Sequence, residues 1–147
     1  MTFEERAENL ASLARSAIGL KDQVQNAVNA IKECHLAGHK VLACGNGGSA
    51  SDANHFIAEL VCKYKSDRKP LEGISLNANT AVMTAISNDY GYDKVFERQV
   101  EALGKQGDVL IVISTSGTSE NVVKAAQKAK SLGIKTIALT GNVGTLA

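Results

Sequence analysis

A histidine and a glutamate stand four residues apart, at His55 and Glu59, in a stretch whose apolar residues recur at helical spacing. Residues four apart share one face of an α-helix, so the imidazole and the carboxylate are expected to be neighbours. Such a pair can bind a divalent metal, and the carboxylate can also act as a general base. A surface ion pair without any function has the same spacing, so the spacing alone leaves both interpretations open.

Two loops rich in glycine and hydroxyl residues add a second kind of chemistry. The chain reads GNGGSAS over residues 45–51, directly before the His55 helix, and STSGTSEN over residues 114–121. Each loop follows a predicted strand and precedes a predicted helix. It therefore presents unpaired backbone N–H groups and the positive end of the helix dipole, while its hydroxyls add uncharged donors. This arrangement predicts a binding site for a phosphate monoester.

Helix capping is the alternative explanation for these polar residues. Ser51 or Asp52 would cap the first helix in that case. The second loop weakens the alternative, because one helix needs one cap and this loop offers the hydroxyls of Ser114, Thr115, Ser116, Thr118 and Ser119. No Gly-Lys-[Ser/Thr] follows the glycines, which disfavours a nucleoside triphosphate with magnesium. The missing G-x-G-x-x-G fingerprint counts against a dinucleotide.

The elements that must position these residues alternate along the chain. Short apolar runs predict strands at 39–45, 71–76, 108–114 and 135–141. Amphipathic runs predict helices at 3–19, 21–37, 52–65, 80–88, 93–104 and 122–133. The alternation predicts right-handed crossovers and therefore an α/β fold, a doubly wound parallel sheet with helices on both faces.

Composition sets limits on the function. The 147 residues carry a formal net charge of +1, so no global basic field would recruit nucleic acid or an anionic membrane. No apolar run approaches the ~20 residues of a membrane span, and the acidic N-terminus does not resemble a signal peptide. Cys34, Cys44 and Cys62 make an odd cysteine count without metal-type spacing, which indicates reduced thiols and a cytoplasmic protein.

Three motifs together carry a resemblance to a known family. GNGGSASDANHFIAEL, AISNDYG and GDVLIVISTSGTSENV, in this order and spacing, closely resemble the sugar isomerase (SIS) domain family. Within that family the chain is most similar to the isomerases of sedoheptulose 7-phosphate. The resemblance covers essentially the whole chain. It implies a flavodoxin-like fold and a single SIS domain over 1–147, with N-terminal helices in 1–37 and an α/β core in 38–147.

The resemblance also implies an activity and its residues. The implied reaction converts sedoheptulose 7-phosphate into D-glycero-D-manno-heptose 7-phosphate, for the ADP-heptose of lipopolysaccharide core. The implied assembly is a homotetramer with active sites between subunits. His55 and Glu59 are the implied zinc ligands, and Glu59 is also the implied catalytic acid/base. The implied substrate-binding residues are Asn46, Gly47, Gly48, Glu59, Asn88, Asp89, Ser114, Thr115, Ser116 and Ser119.

The chemistry of the residues agrees with that reaction. An aldose–ketose isomerisation moves a proton between adjacent carbons through an enediol, which requires a base. A grip on the remote phosphate can supply binding energy that positions the reacting carbons.

The chain departs from the family pattern in two places. Cys62 and Lys63 stand where family members usually have Gly-Arg. The chain ends at TGNVGTLA, whereas the family continues into another strand and a long helix that supply a glutamine and a second histidine. Neither His35 nor His39 matches that histidine. We therefore expect a C-terminally truncated chain that folds marginally, binds zinc weakly through an incomplete site and turns over little substrate.

A non-catalytic role is the main alternative function. SIS domains also act as sugar-phosphate sensors, and one relative binds a replication initiator protein. A sensor needs the phosphate loops but has no use for a base and a metal ligand on the adjoining helix. His55 and Glu59 therefore favour the enzyme. We expect a sugar-phosphate ligand and a homotetramer, with neither nucleic acid nor membrane as a partner.

Overall fold

The computed structural model describes residues 1–141 and 146. Within them, two N-terminal helices precede a region in which four further α-helices are interspersed with four β-strands. The helices are α1 (Phe3–Ser16), α2 (Lys21–Leu36), α3 (Gly48–Val61), α4 (Thr80–Tyr90), α5 (Val95–Leu103) and α6 (Glu120–Ser131). The strands are β1 (Val41–Gly45), β2 (Gly73–Ser75), β3 (Val109–Ser114) and β4 (Lys135–Thr140). Two 3₁₀ turns, Ala17–Leu20 and Tyr92–Lys94, precede α2 and α5.

The four strands form one parallel sheet in the order β2-β1-β3-β4. This order places β1 and β3 side by side at the centre, with Val41 opposite Val109 and Gly45 opposite Ile113. The order is that of the flavodoxin type, and it confirms the predicted doubly wound sheet. Because all strands are parallel, the loops after β1 and β3 leave the same edge of the sheet.

Apolar side chains alternate between two cores, one on each face of the sheet. From β1, Leu42 and Cys44 enter the core that α5 and α6 cover, while Val41 and Ala43 enter the core that α2 and α3 cover. All four are fully buried. A strand buried on both faces has no polar side to show, which explains why β1 and β3 read as continuous apolar runs.

A buried ion pair closes the amino edge of the sheet, where β1 and β3 begin. Lys40 Nζ lies 2.6 Å from Asp108 Oδ2, and the side chain of Asp108 is only 1% exposed. Burial opposes ionisation of Asp108, but the hydrogen bonds from the ammonium and backbone N–H of Lys40 and from the backbone N–H of Lys105 leave its pKa below the usual range. His39 Nδ1 lies 3.6 Å from the same carboxylate.

The N-terminal helix α1 contributes no residue to either core. None of its side chains is buried, and Phe3, Leu10 and Leu13 are 81%, 67% and 67% exposed. The first turns of α2 are similar, since Val24 and Val28 remain more than half exposed while Cys34 is buried against the sheet. Within residues 1–141 and 146, no helix combines the length and the hydropathy needed to cross a membrane.

Candidate functional site

The first loop leaves β1 through a tightly packed glycine. Asn77, in the loop after β2, clamps Gly45 by donating from Nδ2 to its carbonyl oxygen (2.9 Å) and accepting its N–H at Oδ1 (3.1 Å). A Cβ on Gly45 would lie 2.6 Å from the carbonyl oxygen of Ser49, so a side chain does not fit there. The chain can therefore pass from strand to helix within two residues.

The helix that follows starts earlier than its sequence predicts. Gly47, at φ +56°, is the N-cap residue of α3, and Ser51 and Asp52 lie inside the helix. The alternative that either of them caps this helix is therefore wrong. Glycine at a positive φ lets the loop turn so that Gly48 begins the helix, with the positive end of its dipole at the predicted anion loop.

The second loop uses its hydroxyls for internal bonds but not for capping. Ser114, which is buried, accepts the N–H of Gly117 (3.2 Å) and donates to Ser119 Oγ (3.4 Å). Ser116 Oγ accepts both the N–H and the hydroxyl of Thr118, at 3.2 and 3.1 Å. Ser119 is the N-cap residue of α6, yet its side chain makes no capping hydrogen bond. Capping therefore does not explain the hydroxyls of this loop.

Two asparagines join the two loops. Asn46 Nδ2 donates to Asn121 Oδ1, and Asn121 Nδ2 donates back to Asn46 Oδ1, both at 2.9 Å. The hydroxyl of Tyr92 donates to Asn46 Oδ1 as well, also at 2.9 Å. Asn121, in the first turn of α6, is 4% exposed. The structure thus brings Asn46, Gly47 and Gly48 next to the loop of Ser114, Thr115, Ser116 and Ser119.

The predicted His–Glu pair forms on an open face of α3. His55 Nε2 lies 3.0 Å from Glu59 Oε1, and the two side chains are 75% and 37% exposed. At 1.5 Å per residue, His55 stands about 10 Å along the helix from Gly48. The pair borders a groove of about 420 Å³ that is lined by Asp52, His55, Phe56, Glu59, Leu60, Tyr64 and Arg68.

Arg68 holds the end of the helix that carries this pair. Its guanidinium donates to the carbonyl oxygens of Leu60 (2.9 Å) and Glu59 (2.5 Å) in the last turn of the helix. The carbonyl oxygen of Leu60 also accepts the N–H of Leu71 (3.0 Å). Lys63 is half exposed, and its Nζ lies 3.7 Å from Asp67 Oδ1. Arg68 is a positioning residue that sequence reasoning missed, because its contacts are with backbone atoms eight and nine residues away.

The predicted sugar contacts Asn88 and Asp89 lie in the last turn of α4. Asn88 Nδ2 donates to Asp89 Oδ1 at 2.8 Å. Asp89 lines a second, apolar groove of about 540 Å³ together with Tyr90 and Arg98, whose guanidinium stacks over the Tyr90 ring at 3.8 Å. After Gly91, at φ +94°, the chain turns toward α6, where Asp93 pairs with Lys124 at 2.5 Å. The Lys124 hydrogen bond lowers the pKa of Asp93.

The structure therefore gathers only part of the predicted site. It joins the two loops, but it places His55 and Glu59 in one open groove and Asp89 in another. His35 donates to the carbonyl oxygen of Glu72 and His39 faces Asp108, both at the amino edge of the sheet and away from the loops.

His55 and Glu59, which border this groove, are two possible ligands for a metal ion. Two atoms that each lie about 2.0–2.2 Å from one zinc ion are at most about 4.4 Å apart, and the 3.0 Å between His55 Nε2 and Glu59 Oε1 satisfies that limit. Among residues 1–141 and 146, no group of three or more His, Cys, Asp and Glu side chains is arranged to hold an ion. The pair therefore fits as part of a zinc site.

Known proteins with the same family of domain are similar to this chain in sequence and in fold. The family model described as "SIS domain" matches residues 4–141. The chain belongs to the SIS domain family. A phosphoheptose isomerase of Helicobacter pylori is 54% identical to this SIS domain over 133 residues, which cover 90% of the chain and 69% of the relative.

Solved structures of SIS-domain relatives have the same fold. The phosphoheptose isomerase of Francisella tularensis is 39% identical with a TM-score of 0.79, and the alignment covers 99% of this chain and 80% of that one. The phosphoheptose isomerase of Neisseria gonorrhoeae is 41% identical with a TM-score of 0.74, over 95% of this chain and 75% of that one.

Proposed function

We propose that this SIS domain is a sugar-phosphate isomerase that converts sedoheptulose 7-phosphate into D-glycero-D-manno-heptose 7-phosphate. The observation that carries the proposal is the 54% identity to a phosphoheptose isomerase over 90% of the chain. The geometry supports it, because two loops of neutral donors at helix N-termini stand beside a helix that carries a base and a metal ligand. By the same relationship, the product supplies heptose for lipopolysaccharide core.

One set of residues binds the substrate, and Glu59 transfers the proton. Ser114, Thr115, Ser116 and Ser119 hold the phosphate at the N-terminus of α6, where the helix dipole favours an anion. Asn46, Gly47 and Gly48 face the sugar chain, with Asn88 and Asp89 contributing further contacts. Glu59 takes the proton from one carbon of the substrate and returns it to the next.

His55 and Glu59 are the residues that would hold zinc. A zinc ion at this position supplies Lewis-acid stabilisation of negative charge in the transition state. Zinc sites normally have three or four protein ligands, so the two that the described residues provide should retain the ion weakly. We expect dialysed protein to contain well below one zinc per chain, and stoichiometric zinc by elemental analysis would contradict this.

Self-association explains the exposed parts of the molecule. The apolar face of α1 has no cover within the described chain, and His55 projects into an open groove. We propose a homotetramer in which these surfaces are buried and the active sites lie between subunits. A stable monomer in light scattering at micromolar concentration would contradict the assembly. We place the enzyme in the cytoplasm, since Cys34, Cys44 and Cys62 are all free thiols, as in a reducing compartment.

Conversion of sedoheptulose 7-phosphate, followed by NMR, tests the function. The wild-type chain should form a heptose 7-phosphate slowly, because its zinc site is incomplete. Glu59→Gln should lower that rate by a further factor of about 10²–10⁴, because the base is lost. Glu33→Gln removes an exposed carboxylate on α2 and serves as the control with an unchanged rate. Tight binding of the substrate without any turnover would instead favour the sugar-phosphate sensor.

A further inference from the structure

The amide pair between the two loops joins one asparagine from each of two motifs that are far apart in the sequence. Asn121 is buried in the first turn of α6, and its carboxamide forms a closed two-bond ring with the carboxamide of Asn46. Asn121 Oδ1 also accepts the N–H of Val122 at 3.0 Å, which fixes it on the helix backbone. A buried side chain with such complete bonding is rigid, so it can serve as a fixed reference for a partly exposed neighbour.

Tyr92 fixes the orientation of the Asn46 amide from the other side. Asn46 Oδ1 accepts two hydrogen bonds, from Tyr92 and from Asn121. Turning the amide over would place its NH₂ group against the Nδ2 donor of Asn121, whose own orientation is fixed by the N–H of Val122. The Tyr92 hydroxyl then holds the amide in the orientation that Asn121 selects. One Nδ2 hydrogen is used by Asn121, and no hydrogen bond joins the other to a described residue.

Both partners of Asn46 are held by the same helix. Asn121 belongs to α6, and Tyr92 is followed by Asp93, which pairs with Lys124 on the next turn of α6. Lys124 also pairs with Glu120 at 2.6 Å, so the link is an ion cluster across this helix. The N-terminus of α6, where we place the phosphate, therefore also sets the position of Asn46.

We propose that Asn121 and Tyr92 are positioning residues for substrate binding: they orient Asn46 so that its remaining Nδ2 hydrogen points to a hydroxyl or carbonyl oxygen of the sugar chain. This inference rests on the proposed function. In this arrangement α6 contributes to two subsites: its N-terminus binds the phosphate, and its contacts orient the Asn46 amide toward the sugar.

A set of double variants tests whether the two residues act through Asn46. The affinity for sedoheptulose 7-phosphate is measured by calorimetry. Tyr92→Phe removes one hydroxyl from an exposed ring and should weaken binding about three- to tenfold, and Asn121→Ala should weaken it about tenfold or more. In an Asn46→Ala background, both substitutions should have little further effect, because the group that they orient is gone.

The controls separate positioning from loss of structure. Ser131→Ala removes a hydroxyl that donates to the carbonyl oxygen of Lys128 at the far end of α6, away from both loops, and should leave the affinity unchanged. Tyr92→Phe should also shift the NMR signals of the Asn46 side-chain amide in the free protein while the melting temperature stays close to that of the wild type.

Two results would overturn the inference. One is full affinity in both Tyr92→Phe and Asn121→Ala. The other is an equal loss with and without Asn46, which would show that the two residues act through general stability. If the wild-type chain binds no sedoheptulose 7-phosphate, the proposed function fails and this role fails with it. Binding by the wild type with unaffected variants removes the positioning role alone.

Discussion

The two edges of the sheet use polar residues in opposite ways. At the amino edge, Lys40 and Asp108 carry full charges, are nearly inaccessible to solvent and satisfy each other. At the carboxyl edge, the loops at 45–48 and 114–119 contain only neutral donors, and residues such as Thr115 and Ser116 are exposed. The charged groups of the amino edge are paired with each other, whereas the uncharged donors of the carboxyl edge are exposed and accessible to an anion. The contrast distinguishes a stabilising cluster from the proposed binding site.

Removing the charge at the amino edge should have the largest effect on stability. Asp108→Asn leaves the Lys40 ammonium buried without its counter-charge, which should cost about 3–5 kcal/mol in the free energy of unfolding. Glu101→Gln breaks the exposed pair with Lys128 and should cost only about 0–1 kcal/mol. Urea denaturation of both variants checks the difference. Equal effects would remove the distinction between this pair and an ordinary surface ion pair.

The lowered pKa of Asp108 predicts how the free energy of unfolding changes at acidic pH. Because the pKa of Asp108 is lowered in the folded protein, its contribution to stability is complete above the unfolded pKa of about 3.9 and is lost as the pH falls through the folded value. As the pH falls below about 4, the free energy of unfolding should therefore decrease less in Asp108→Asn than in the wild type. Parallel acid limbs for the two proteins would contradict the assignment.

At the carboxyl edge, a single methyl group should disturb both fold and binding. Gly45→Ala brings a Cβ against the backbone of Ser49, and overpacking of this kind costs about 1–3 kcal/mol. The affinity for sedoheptulose 7-phosphate should fall as well, because the loop must move. Gly19→Ala, where a Cβ meets nothing within 4 Å, is the matched control. Unchanged stability in Gly45→Ala would show that the close approach is not needed.

The smallest expected effect on stability accompanies a clear effect on binding. Ser116→Ala combined with Ser119→Ala should weaken sugar-phosphate binding at least tenfold, since each removes a neutral donor from the loop. The free energy of unfolding should change by no more than about 0.5 kcal/mol per site. Ser116 is exposed, so water can replace its bonds to Thr118, and Ser119 makes no capping bond and only a long 3.4 Å bond with Ser114. Ser131→Ala, at the other end of α6, serves as the control for both calorimetry and denaturation. Unchanged affinity would remove the second loop from the site.

Local patterns in the sequence predicted the framework well. The continuous apolar runs of β1 and β3 are visible because both faces of these strands are buried. The shared face of His55 and Glu59 follows from helical spacing alone. The start of α3 was predicted four residues late, because a glycine N-cap leaves no Ser or Asp signal and Gly48 reads as loop.

Contacts between distant residues were beyond the sequence. Asn77 lies 32 residues from Gly45, and Asn121 lies 75 residues from Asn46. No local period connects such partners, so their roles appear only when the strand order brings the loops together. His55 and Asp89 lie in two different grooves because α3 and α4 pack against opposite faces of the sheet. The motifs do not predict that arrangement. The roles assigned to these residues, and to zinc, stay predictions.

Titration of ¹⁵N-labelled chain with sedoheptulose 7-phosphate tests the contrast between the two edges most directly. Amide signals should shift in residues 45–49 and 114–121, at the carboxyl edge, and should stay unchanged in residues 39–40 and 105–108, at the amino edge. Shifts centred on the amino edge, or spread equally over both, would contradict the assignment of the open neutral loops as the sugar-phosphate site.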